Sequence, residues 1–119
     1  MEFLIKLISY GILSIILTTT AYASNFSFLN YSPVAYFTDQ DWKIFKQTAT
    51  KALDSSKDDI KFSWSNPKSG ASGYVIPTRT ASNNKMTCRD LIIFNIASDR
   101  RGKATYQFCK IAGKWKVTA

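Results

Sequence analysis

Ile60-Lys61-Phe62-Ser63-Trp64-Ser65 alternates apolar and polar residues with a period of two, the mark of a strand with one buried face. Immediately upstream the period is different. Between Asp39 and Ser55, Trp42, Phe45, Ala49, Ala52 and Leu53 recur at steps of three and four, whereas Lys43, Lys46, Gln47, Thr50 and Lys51 fall on the other side. That spacing predicts an amphipathic helix. Thr38 is placed to cap it, with Asp39 and Asp41 in its first turn at the positive end of the helix dipole. The polar run from Asp54 to Asp59 ends the helix, and Asp58-Asp59 reads there as a solvated turn rather than a catalytic carboxylate pair.

Downstream of residue 65 the strand pattern continues. Residues 66–73 read as a turn, and Tyr74-Val75-Ile76 as a second strand that Pro77 confines to an edge or terminates. Residues 78–86 read as a polar loop. The apolar run from Leu91 to Ile96 gives a central strand within 87–97, residues 98–102 a hairpin turn, Thr105 to Ile111 the returning strand, and Trp115 to Val117 the last. The fold class expected is therefore α+β, one N-terminal helix packed on a four- to five-stranded antiparallel sheet. Phe45, Leu53, Phe62, Trp64, Ile92, Phe94, Phe108 and Trp115 form the expected core.

The N-terminal residues read as an export signal. Lys6 precedes an uncharged run from Leu7 to Leu17, and Ala21-Tyr22-Ala23 presents small residues for a peptidase, so that 1–23 is expected to be cleaved and Ser24 to begin the mature chain. A retained anchor is the alternative, but the apolar stretch is shorter than the roughly 20 residues a spanning helix needs. No membrane span is expected after cleavage. Residues 24–37, uncharged and carrying Pro33, read as an extended leader whose aromatic residues can dock on the body.

Glu2 and Lys6 cancel, so residues 24–119 keep the full net charge of +8. A field of that sign favours anionic partners such as nucleic acid, lipid headgroups, lipopolysaccharide phosphates or acidic cell-wall polymers, although cations scattered from Lys43 to Lys116 also suit plain solubility. Specific nucleic-acid binding is not expected. Arg100-Arg101-Gly102-Lys103 is the most compact basic group, a candidate anion-binding tip in which Arg100, Arg101 and Lys103 would grip phosphates, or a charged solvated turn.

Cys88 and Cys109 are the two cysteines of a chain bound for an oxidising compartment, which predicts a disulfide. A hairpin centred near residue 100 brings them to about the same level, given a bulge. Closing a loop of about 20 residues would add roughly 3 kcal/mol in the chain-entropy picture. The chain has no histidine, which removes the usual general base and the usual metal ligand; no metal site, cofactor or catalytic residue is assigned, and a non-enzyme is expected. Trp42, Trp64 and Trp115 fall at core phases, with a glycan-stacking platform as the alternative.

Trp64-Ser65-Asn66-Pro67-Lys68-Ser69-Gly70-Ala71-Ser72-Gly73-Tyr74-Val75-Ile76-Pro77, then Cys88-Arg89-Asp90, Phe108-Cys109-Lys110 and Gly113-Lys114-Trp115, with Ala52-Leu53 upstream, resembles the C-terminal domain of the bacterial surface antigen family, of the rickettsial seventeen-kilodalton type. The likeness covers about residues 38–117, so that 38–119 is expected to be a surface-antigen-like domain. It implies the Gram-negative envelope, periplasmic or cell-surface, and no transferable activity. A lipobox cysteine and a glycine-rich repeat, usual in that family, are not found, and Lys110 stands where a second Cys-Arg is common. The expectation is a non-catalytic exported envelope protein acting by binding or structural support, with anionic envelope components or another envelope protein as its partner. A cell-wall-acting enzyme and a secreted inhibitor or host-directed factor are the alternatives.

Overall fold

The computed structural model describes residues 32–83 and 85–119; residues 1–23, expected to be an export signal, and 24–31 of the expected leader lie outside the described residues. Among the described residues one α-helix, α1 (Asp39–Asp54), packs on one face of a five-stranded antiparallel sheet. The strands are β1 (Phe62–Asn66), β2 (Ala71–Asn83), β3 (Met86–Ala97), β4 (Arg100–Ile111) and β5 (Lys114–Val117), and they lie side by side in chain order. Every neighbour pair is thus joined by a local turn, as the α+β reading requires.

α1 starts on a capping box. The Asp41 N–H donates to Thr38 Oγ1 at 3.1 Å, and the Thr38 N–H donates to Asp41 Oδ2 at 2.9 Å. Phe45, Ala49, Ala52 and Leu53 are buried against the sheet, and their small residues let the helix approach closely. Phe37 closes the N-terminal end of the core, its ring edge-on to both Trp42 (5.1 Å between centroids) and Trp64 (5.4 Å).

The end of the segment read as an extended leader is not extended. Ser32–Tyr36 winds as a 3₁₀ helix that buries Pro33 and Val34. Proline suits such a short turn because its fixed φ is helical and its missing N–H lies where no partner is needed. Ile60, expected on the buried face of the first strand, precedes β1 and is 48% exposed.

Pro77 does not end β2; it sits beyond the last β1 pair, where this otherwise interior strand is locally an edge. β2 runs on to Asn83, with an irregularity between Thr78 and Ala81 where Arg79 takes a φ of 53°, so much of the expected loop 78–86 is paired. The reason is local. The last β1–β2 pair is Phe62 with Val75, and beyond it the Asp59 N–H donates to the Pro77 carbonyl at 2.7 Å. In an extended strand a residue's N and O face the same flank, so the proline nitrogen faces the flank β1 has already left.

The β3–β4 turn is tighter than the sequence suggested. Ser98 and Asp99 alone make it, both at positive φ (49° and 61°), and pairing starts at once with Ala97 opposite Arg100. Arg100 to Lys103 therefore belong to β4, and the register continues without a bulge to Cys88 opposite Cys109.

Phase on β3 also differs from expectation. Arg89, Leu91, Ile93, Asn95 and Ala97 face α1 and are buried, whereas Ile92 and Phe94 lie on the opposite, outer face and are only half-buried. An uninterrupted apolar run carries no alternation to fix its phase. Cross-strand partners fix it instead: Val75 pairs with Ile93 on the inner face, and Tyr74 with Phe94 on the outer, where their rings stack at 5.0 Å. Phe45, Leu53, Trp64 and Phe108 are buried as expected, and Phe62 and Trp115 are half-buried against that core.

Candidate functional site

The polar residues of the Trp-x-Asn-Pro-x-Ser-Gly stretch converge on the start of α1. Asp41 is fully buried, and its Oδ1 accepts from Asn66 Nδ2 at 2.7 Å and from Ser69 Oγ at 2.6 Å. The 66–70 turn closes through Gly70 N–H to the Asn66 carbonyl (2.8 Å), with Gly70 at a φ of +79° that favours glycine. Burial tends to raise the Asp41 pKa. The hydrogen bonds from Ser69, the Thr38 N–H and Asn66 outweigh it and hold the carboxyl below its ordinary value.

One layer deeper, the Trp64 indole N–H donates to Asn95 Oδ1 at 3.3 Å, across Gly73. A Cβ at Gly73 would overlap the Phe94 carbonyl oxygen, Asn95 Oδ1 and the Trp64 nitrogen. The glycine is required by close approach rather than by its backbone angle.

Arg89 is the hub at the other end of the helix. It is 2% exposed, and one terminal nitrogen donates to the carbonyls of Ala52, Leu53 and Ser55 at and just beyond the C-terminal end of α1, where Ala52 also accepts from the Ser55 N–H. The second donates to the Lys57 carbonyl (3.0 Å) and to Asp58 Oδ1 (2.8 Å), while Nε donates to Thr80 Oγ1 (2.7 Å). A planar cation with five donors suits this task, which a lysine could not perform. Asp58 is thus no idle turn residue: hydrogen bonds from Arg89 and Thr80 lower its pKa to about 2.

Beside this hub a shallow cleft of about 290 Å³ is lined by Ser55, Thr80, Thr87, Arg89, Lys110 and Trp115. Asp54 on its rim accepts from the Trp115 indole N–H at 2.8 Å and lies 3.6 Å from Lys110 Nζ. Its acidic and basic groups are engaged with one another, an arrangement that supports packing of β5 on α1. Trp42, Trp64 and Trp115 all pack on the helix-side core and share no open platform.

Cys88 and Cys109 sit on the outer phase of β3 and β4, their sulfurs 2.08 Å apart in a disulfide. The three residues of the basic tip do not converge. Arg100 has the helix-side phase and its guanidinium lies 5.0 Å over the Tyr36 ring of the 3₁₀ helix, whereas Arg101 and Lys103 project on the outer face opposite Ile96 and Phe94. Alternation along β4 splits what looked contiguous as a turn. Among the described residues no three histidine, cysteine, aspartate or glutamate side chains cluster as metal ligands, and no helix is long and apolar enough to cross a membrane.

Neither composition nor spacing marks Asp41, Asn66, Ser69 and Arg89 as a site. The signal that could find them is their phase: Arg89 stands at a buried position of an apolar strand, where a charge demands partners.

The chain is similar to the 17 kDa surface antigen of Rickettsia prowazekii, at 30% identity over 81 residues that cover 66% of this chain and 51% of that protein. It therefore spans about half the length of the curated relative it matches. No family model and no solved structure matches. The likeness supports a surface-antigen-like relationship, in keeping with the residues quoted above.

Proposed function

We propose that this protein is a non-catalytic, exported module of the cell envelope, periplasmic or surface-associated, that acts by binding or structural support. The observation that carries this reading is the engagement of the antigen-like polar residues with one another. Asp41, Asn66 and Ser69 tie the first turn of α1 to the β1–β2 turn, and Arg89 ties its last turn to β3 and Asp58. Residues held in this way set a shape rather than present a nucleophile or a general base. The similarity to a surface antigen and the net charge of +8 favour an anionic envelope setting.

Cell fractionation with N-terminal sequencing tests it. The expected product begins at Ser24, is released by osmotic shock, and leaves any membrane-bound remainder on addition of salt. A chain that begins at Met1 and stays in membranes at high salt would instead be a signal-anchored protein.

A further inference from the structure

Cations scattered in the sequence are gathered by the fold onto the outer face of the sheet. Strand phase puts Arg101 and Lys103 of β4 and Lys114 and Lys116 of β5 on that face, all exposed, and Lys61 joins them with its Nζ 4.3 Å from the Tyr74 ring centroid. Asp90 is the one acid among the described residues whose strand phase places it there, and Arg79 lies 3.5 Å from it. Between the cations runs an apolar stripe of Tyr74, Ile76, Ile92, Phe94 and Ile96, each half-buried. Among the described residues, α1 and the 3₁₀ helix pack on the opposite face.

We propose that this face docks on the surface of an anionic lipid bilayer, with the stripe of Tyr74, Ile92 and Phe94 at the headgroup boundary and Lys61, Arg101 and Lys103 on lipid phosphates. An apolar strip flanked by cations is what interfacial binding needs, since the two contributions act together and neither suffices alone. Charge decides against a second copy as the occupant. Two such faces pressed together would bring cation against cation around the shared apolar strip.

This inference rests on the envelope-binding reading but is tested apart from it, on the oxidised mature chain from Ser24 and without cells. The probe is co-sedimentation with phosphatidylcholine vesicles containing roughly one third phosphatidylglycerol, at salt from ~50 to ~500 mM. Binding is expected to the anionic vesicles, not to pure phosphatidylcholine, and to fall steeply with salt. Arg101→Glu with Lys103→Glu should weaken it about tenfold or more, and Phe94→Ser, which leaves charge unchanged, several-fold. Lys43→Glu with Lys46→Glu on α1, the same charge change on the opposite side, should cost less than about threefold.

Equal losses in the two double variants would make the attraction a property of net charge and overturn the docking face. So would an unaffected Phe94→Ser variant with an unchanged melt; Ile76→Ser repeats that arm if Phe94→Ser does not fold. Failure of the wild-type chain to bind, whether a second copy or residues 24–31 occupy the face, overturns it too. Vesicle binding by this face in a protein that fractionates away from the envelope would refute the envelope reading alone.

Discussion

The two faces of the sheet are built on opposite rules. On the helix side every buried polar group has partners: Asp41 holds Asn66 and Ser69, Trp64 holds Asn95, and Arg89 gathers the carbonyls at the end of α1. On the outer side exposed cations flank half-buried apolar residues, and the Cys88–Cys109 bridge staples the strands. The inner face answers the question of how so small a domain keeps one structure, because a polar group without a partner there costs more than the bond itself contributes. Apart from that bridge and the Tyr74–Phe94 stack, the outer face carries exposed cations that make no bond to the helix-side network, which is why the docking role is proposed there.

The comparison breaks most directly at Arg89. Arg89→Met keeps much of the volume but takes the guanidinium donors away from the Leu53, Ser55 and Lys57 carbonyls, while Ala52 keeps its bonds from Ser55 and Asp58 its bonds from Thr80, so a loss of about 3–5 kcal/mol is expected from the stranded carbonyls together. Urea unfolding measures it, and a loss under about 1 kcal/mol would show that the hub is dispensable. Reducing the disulfide should lower the unfolding free energy from the same titration by about 3 kcal/mol, with the closed loop spanning a sequence separation of 21 residues. Gly73→Ala should cost about 1–3 kcal/mol, since the added methyl meets a strand carbonyl and the Trp64–Asn95 bond rather than a yielding side chain.

Acid gives a smaller and more selective effect. Asp41 and Asp58 both titrate below the ordinary carboxylate value of 3.8 in the folded chain, Asp58 at about 2. A depressed folded pKa contributes stability that is fully present above the unfolded value and is lost as pH falls through the folded one. Stability should therefore be flat from neutral pH to about 5 and decline between about 4 and 2. Asp58→Asn should flatten part of that decline in a thermal melt followed across the same range, and an unchanged profile would remove Asp58 from the account.

How far the sequence carries depends on whether a signal is local. The helix was legible because Thr38, Asp41 and the Phe45–Ala49–Ala52–Leu53 spacing act within a few residues of one another, and the antiparallel sheet because short turns separate short apolar runs. The course of β2 through Pro77 was not, since it depends on where β1 ends, which no residue near Pro77 records. The phase of Leu91–Ile96 was hidden for the same reason, and with it the existence of the outer apolar stripe. The cationic face was illegible because its members come from three separate stretches, around 61, 101–103 and 114–116, that only the strand register lines up. Arg89 and Asp41 stood in plain view, but apart from Thr80 and Thr38 their partners lie 25 to 37 residues away in sequence.

The smallest expected effect is also the sharpest test of the contrast. Lys103 is exposed in β4 opposite Phe94, and among the described residues it makes no salt bridge. Lys103→Ser removes a charge without stranding a buried partner, and serine is tolerated on an open strand face, so stability should change by no more than about 0.5 kcal/mol. The same is expected of Arg101→Ser, and the double variant should stay within about 1 kcal/mol of the unaltered chain, because neither side chain shares a bond with the helix-side network and removing two like charges on one strand face relieves repulsion. Urea midpoints of the single and double variants, set beside that of Arg89→Met, put the two faces on one scale. If the outer pair cost several kcal/mol, those cations would be holding the sheet together, and the surface would belong to the fold rather than stand available for a partner.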